Sequence, residues 1–355
     1  MHWCQYWLLA IALLSTQAAR AAEPDRIQGN WTGDWTLDGG GGGKQTAQII
    51  AVGNGEYQGA FTAYDGSEMD NETFRFIISG TLVDDKISFA TTIPLGEKLG
   101  TFEWKAELKD GTLKGRYTNN RNYTGGFMLK RVELKPDGLG AKPLPGAVVL
   151  FDGKGLDAWT SPGGGAPTWK IVGDALQVAR KNGAKAPQHL VSRMTFEDAQ
   201  IHLEYRTPYL PEARGQERGN SGVFLQGRYE IQIIDNFGQP RVLDNFGELA
   251  DDDSTGAVFG QYAPLVNATL PPGEWQTLDI LFLAPRLDAN GQVERPGEIT
   301  ITHNGQLIQD RVKIRRPTKG APIQDLAATA GLILEDGGQP VEYRNLWMVK
   351  LNPAK

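Results

Sequence analysis

The sequence predicts an all-β protein in two units: a small meander, able to close into an up-and-down β-barrel, followed by a larger β-sandwich. Three observations carry this. Short stretches of alternating apolar and polar residues recur along the chain, while few windows place apolar residues at helical spacing. Glycine (44 residues) and proline (20 residues) are plentiful, which favours turns over long helices. A Pro- and Gly-rich stretch at residues 134–146 divides the strands into two sets, each large enough for its own core, so the two units are expected to fold independently.

The first unit spans residues 24–133. Its strand candidates are Trp31 to Leu37, Thr46 to Val52, Glu56 to Ala63, Phe74 to Gly80, Lys86 to Ile93, Phe102 to Leu108, Thr112 to Thr118 and Tyr123 to Arg131. Turn signals such as Gly53-Asn54-Gly55, Asp84-Asp85, Asp110-Gly111 and Asn119-Asn120 separate several of them. Closing such a meander removes its edges. Gly39 to Gly43 leads through Lys44-Gln45 into a strand, so it reads as a hairpin loop and not as a phosphate-binding loop.

The second unit, residues 147–355, centres on the run from Asn220 to Gly238. Val223-Phe224-Leu225 and Tyr229 to Ile233 read as two strands joined by a turn at Gln226-Gly227-Arg228, with Gly227 free to take a positive φ. Tyr229, Ile231 and Ile233 alternate with Arg228, Glu230 and Gln232, which places the polar set on one face about 7 Å apart. Gln200 to Thr207 alternates likewise, with His202, Glu204 and Arg206 opposite Ile201, Leu203 and Tyr205. Burial is therefore expected for Ile201, Leu203, Val223, Leu225, Ile231 and Ile233. If both strands share a sheet, Glu204, Arg206 and Glu230 converge on one face, where an Arg keeps carboxylates ionised and can hold a substrate oxygen. The long segment from Asn236 to Tyr262, with Asp244-Asn245-Phe246-Gly247, has little strand pattern and is expected to fold over the mouth of a site.

Several function classes are disfavoured. A net charge of −6 without a basic tract argues against nucleic acid as a partner. Gly-x-Ser-x-Gly, His-Glu-x-x-His and dinucleotide fingerprints are absent. His189 and His303 lack metal-ligand spacing and read as structural. Asp251-Asp252-Asp253 with Glu248 could offer carboxylate oxygens to a divalent metal ion such as calcium, but without an alternating ligand loop it reads as a solvated acidic loop. Trp7 to Leu14 is a short apolar core followed by Ala19-Arg20-Ala21, which reads as a signal peptide over residues 1–21 and an exported, periplasmic or extracellular, protein. No stretch is long and apolar enough to suggest a membrane span. The single cysteine, Cys4, precedes that apolar core, so the mature chain needs no disulfide and offers no thiolate.

Asn220-Ser221-Gly222-Val223-Phe224, Tyr229-Glu230-Ile231-Gln232-Ile233 and Asp235 resemble the signature of the 3-keto-disaccharide hydrolase family. Other segments match in order: Leu150-Phe151-Asp152-Gly153-Lys154 with Trp159, Glu204-Tyr205-Arg206, Gly260 to Asn267, Pro272 to Gln276, and Arg344-Asn345-Leu346-Trp347. The resemblance implies a concanavalin A-like jelly roll acting on a carbohydrate, specifically a 3-keto-glycoside, by elimination and hydration. Such a reaction needs a base, an acid for the leaving oxygen, and a positive group or metal at the enolate oxygen. Glu230 or His202 is the candidate base and Arg206 the candidate enolate stabiliser, with Glu204 beside them. Asn220, Arg228, Gln232, Gln261 and Glu335 are candidates for substrate binding. Where the family often has Gln-Asp-His-Gly, this chain has Glu335-Asp336-Gly337-Gly338, so no histidine role carries over. A non-catalytic carbohydrate-binding protein and a structural cell-envelope protein are the alternative readings.

Overall fold

The computed structural model describes residues 25–64, 72–94, 97, 100–180, 184, 186–239 and 251–351. The signal-peptide reading, Glu248 and the stretch from Asp244 to Gly247 lie outside them.

Eight antiparallel strands form a closed barrel: β1 (Gly29–Leu37), β2 (Gly42–Gly53), β3 (Glu56–Tyr64), β4 (Glu72–Val83), β5 (Lys86–Pro94), β6 (Thr101–Lys109), β7 (Thr112–Asn119) and β8 (Thr124–Val132). β1 closes the ring on β8, so no edge remains. Alternate residues point inward and fill the interior with rings: Phe61 lies 4.6 Å from Trp104, and Trp104 stacks on Phe127 at 5.1 Å. A barrel of this size is filled by its own side chains. Ile49 and Ala51 face that interior, whereas Ile50 faces out, a distinction that matters below.

The remainder is a sandwich of two sheets. The smaller has the order Trp159–Thr160, Leu190–Phe196, Ala330–Leu334, Ser221–Leu225 and Tyr229–Ile233. The larger runs Lys170–Val172, Ala175–Gln177, Glu342–Leu351, Asp198–Arg206, Gln276–Leu283, Gly297–His303 and Gln306–Ile314, with Val148–Phe151 also paired to Glu342–Leu351. Between them, Ile201, Leu203, Val223, Leu225, Ile231 and Ile233 are fully buried in one apolar core, as alternation predicts. The Gln226-Gly227 turn takes φ of 53° and 64°. Gln226 tolerates the left-handed region because its side-chain amide is anchored to the carbonyls of Phe196 and Ala328. The free edge of Tyr229–Ile233 is covered by the segment after the acidic turn, through Gln232 N–H to Ala257 O and Phe259 N–H to Glu230 O.

Candidate active site

The expected convergence of Glu204 and Arg206 with Glu230 does not occur. Asp198–Arg206 and Tyr229–Ile233 lie in opposite sheets, and both send their apolar residues into the shared core. Their polar residues therefore point away from each other, onto two separate outer faces.

The face of the smaller sheet gathers two carboxyl groups. Glu230 and Gln232 pair in register with Phe224 and Gly222 on the neighbouring strand. Glu335, one residue beyond Ala330–Leu334, donates its N–H to Gly222 O at 2.9 Å. Gly222 thus lies between Glu230 and Glu335. A Cβ on residue 222 would stand 2.9 Å from Glu230 Oε1 and 3.2 Å from Glu335 Oε2, so glycine leaves the space over which both carboxyls lean. Thr318 Oγ1 accepts the Glu230 N–H, and Ala321 packs on Phe224 and Ile333, which walls the face on one side. Glu230 is 5 % exposed. Burial, then the charges of Glu335 and Asp253, push the Glu230 carboxyl up to about 9. Burial and Asp336 push Glu335 up to about 7. Near neutral pH the pair holds one proton firmly and one loosely, the arrangement an acid–base couple needs.

Beside this pair, Gln232 is set in one orientation. Its amide nitrogen donates to Gln216 Oε1 at 2.9 Å and Asn220 Oδ1 at 3.3 Å. Both amide hydrogens are used, which leaves Gln232 Oε1 buried without a partner, as is Glu335 Oε2. A buried acceptor left open costs on the order of 1–3 kcal/mol, and a ligand hydroxyl would relieve it.

The other proposed catalytic residues are occupied on the far face of the larger sheet. The linker lies across that face: Gly140 N–H donates to Glu204 Oε1, Asn345 bonds Ala141 O, and Thr277 Oγ1 bonds Asp137 O. His202 stacks on Trp347 at 5.0 Å and pairs with Asp279 through Nδ1 at 2.7 Å. Arg344 holds Glu204 Oε2 at 2.7 Å. Arg206 donates to Glu342 and sits over the Trp275 ring, 4.6 Å from its centroid. Arg228 is turned onto Asp325, and Gln261 onto the carbonyls of Arg316 and Pro317. These groups tie segments together.

The His202 cluster makes a pH prediction. Burial opposes its charge, but Asp279 and Glu204 outweigh this and raise His202 from 6.5 to about 9. A raised folded-state value gives stability that is complete below about 6.5 and lost as pH rises through about 9. The melting temperature of the wild type should fall over that interval, and the fall should shrink in His202→Gln. Equal slopes in both proteins would show that another group titrates.

Two histidines set aside from sequence differ in placement. His303 is buried against Tyr205 Oη at 2.9 Å, and burial lowers it to about 3, so it remains neutral. His189 lies at the smaller sheet, its Nδ1 accepting the Asp336 N–H at 3.1 Å and its ring 6.4 Å from that of Phe224. Gly337 has no room for a side chain, because a Cβ there would stand 2.3 Å from Asn220 O. Among the described residues no group of three or more His, Cys, Asp or Glu is arranged to hold a metal ion. No helix among them is long and apolar enough to cross a membrane.

No curated protein is similar enough to match. Among solved structures, one described as a candidate glycosyl hydrolase of Parabacteroides distasonis ATCC 8503 is 33 % identical, with a TM-score of 0.52 over 58 % of this chain and 84 % of that one. A second candidate glycosyl hydrolase from the same organism is 20 % identical, with a TM-score of 0.43 over 62 % of this chain and 99 % of that one. Residues 146–349, more than half of the chain, match the family described as the 3-keto-alpha-glucoside-1,2-lyase-like domain. The chain belongs to that family.

Proposed function

We propose that this protein is an exported enzyme that cleaves 3-keto-glycosides by elimination across C1 and C2, with hydration completing a net hydrolysis. Family membership and the glycosyl hydrolase neighbour support a carbohydrate-active function. The observation that carries the finer reading is the pair of unequally protonated carboxyls, Glu335 and Glu230, over Gly222. A ketone at C3 acidifies the C2 proton. Glu335, the more readily ionised partner, takes that proton, and the electron pair moves into the C3 carbonyl as an enolate. Collapse of the enolate forms the C1–C2 double bond and breaks the bond from C1 to the glycosidic oxygen. Glu230 gives its proton to that departing oxygen. The products are the free alcohol and an unsaturated 3-keto sugar, to which water then adds. Gln232 Oε1 accepts a sugar hydroxyl, and Asn220 sits beside it to offer its amide N–H to a sugar oxygen. In this mechanism Glu335 serves as base and Glu230 as acid.

The test is incubation of the protein with 3-keto-trehalose and with unoxidised trehalose across pH. Sugar should be released from the keto substrate alone. The rate should rise as the pair loses its first proton near 7 and fall as it loses the second near 9. Binding of either sugar without release would favour a carbohydrate-binding protein. Export predicts that the mature protein starts at Ala22, which N-terminal sequencing of the secreted material reads directly.

A further inference from the structure

The segment 207–220 links the candidate site to the barrel. At one end, Gln216 and Asn220 accept both amide hydrogens of Gln232 and so aim its oxygen. At the other end the segment is fastened to β2. Arg214 Nη2 donates to Val52 O at 2.6 Å, and Arg218 Nη2 to Ala51 O at 3.4 Å. Glu212 packs so closely on Gly53 that a Cβ there would stand 2.7 Å from its Cγ. Arg218 also binds inward, its Nε 2.8 Å from Asp235 Oδ2 and its carbonyl accepting the Asp235 N–H, just past the strand that carries Gln232. Ile50, on the outside of the barrel, forms an apolar contact with Phe237. A Cβ on Gly238 would meet Ile50 Cδ1 at 2.4 Å, so the two units interlock there without a gap.

The strap has little regular structure of its own. It contains only a single 3₁₀ turn, Gly215–Glu217, and neither Gln216 nor Glu217 is buried. Its order therefore comes from what it is bonded to. The barrel interior is packed with aromatic rings, and on the outer face of β2 Ile50 and Val52 pack against Phe237 of the sandwich.

From these contacts we infer that the N-terminal barrel is a positioning module for the active site, holding the 207–220 strap so that Gln216 and Asn220 orient Gln232 toward the sugar. This inference rests on the proposed site on the smaller sheet. Arg214 is a positioning residue: it touches neither the carboxyl pair nor Gln232, and acts through the strap.

The test uses the full chain with Arg214→Ala, Arg214→Lys and Ile50→Ala. Two quantities are measured: hydrogen exchange of the 215–218 amides, and kcat and KM on 3-keto-trehalose over pH. Arg214→Ala and Ile50→Ala should speed exchange in the strap and raise KM about tenfold, as expected when a substrate-aligning group is misplaced by a fraction of an ångström. Their kcat should stay within about twofold and the pH limbs should not move, because Glu230 and Glu335 are untouched. Arg214→Lys, which keeps one donor for Val52 O, should recover most of the loss. Wild-type exchange in the strap of Arg214→Ala and Ile50→Ala would overturn the barrel's role whatever the substrate is, and so would faster exchange with an unchanged KM. Failure of the wild type to turn over 3-keto-trehalose would overturn the substrate reading and leave the exchange comparison to decide the barrel's role.

Discussion

Glu230→Gln should fold as the wild type does and lose about 10²–10⁴ in turnover of a 3-keto-glycoside. Glutamine keeps the shape and hydrogen-bonding capacity of the protonated acid but cannot release a proton to the leaving oxygen. The fold should survive because Glu230 is already held toward its neutral form by burial, Glu335 and Asp253. Because the group is already uncharged near neutral pH, glutamine changes no charge there, and the melting temperature should hold. Parallel measurement of turnover and melting temperature separates the two effects. Unchanged turnover would remove Glu230 from the mechanism. A fall in melting temperature matching the fall in turnover would make its role structural.

Asp235→Ala should produce the largest stability loss, about 3–5 kcal/mol, the cost of stranding one member of a buried ion pair. Arg218 is 2 % exposed and Asp235 is 2 % exposed, so neither charge is shielded by water once the other is gone. Arg218 retains carbonyl partners at Leu210, Pro211 and Ala51, which soften the loss without replacing a negative charge. Urea unfolding of wild type and Asp235→Ala reads this number. A difference below about 1 kcal/mol would place the pair among the exposed ion pairs that contribute little.

Much of the fold was legible because its signals are local. The eight barrel strands follow from alternation and from turn residues such as Asn54-Gly55 and Asp110-Gly111, and observed ends lie within a few residues of those expected. Gln306–Ile314 is not among the strands that alternation predicts. Arg311 sits there at φ 49°, an irregularity that shifts the register against Gly297–His303 and breaks the alternation a sequence can display. The grouping of Glu204 and Arg206 with Glu230 failed for a different reason. Alternation tells which residues share a face of one strand, but sheet membership is set by partners far away in the chain. Asp198–Arg206 pairs with Gln276–Leu283 and Glu342–Leu351, never with the hairpin. Glu335 was legible as a polar group at a family position, but its closeness to Glu230 depends on Gly222 and on a cross-strand pairing. Gln216 had no signal at all: it lies on an irregular strap whose course is set by the barrel.

The proposed mechanism has a base remove the C2 proton before the glycosidic bond breaks. It is tested most directly with a 3-keto-glycoside carrying deuterium at C2. Turnover should be slower than with the protonated substrate, and the released sugar should have lost its C2 deuterium. Equal rates together with full retention of deuterium at C2 would mean displacement at C1 without elimination, and would rule this mechanism out.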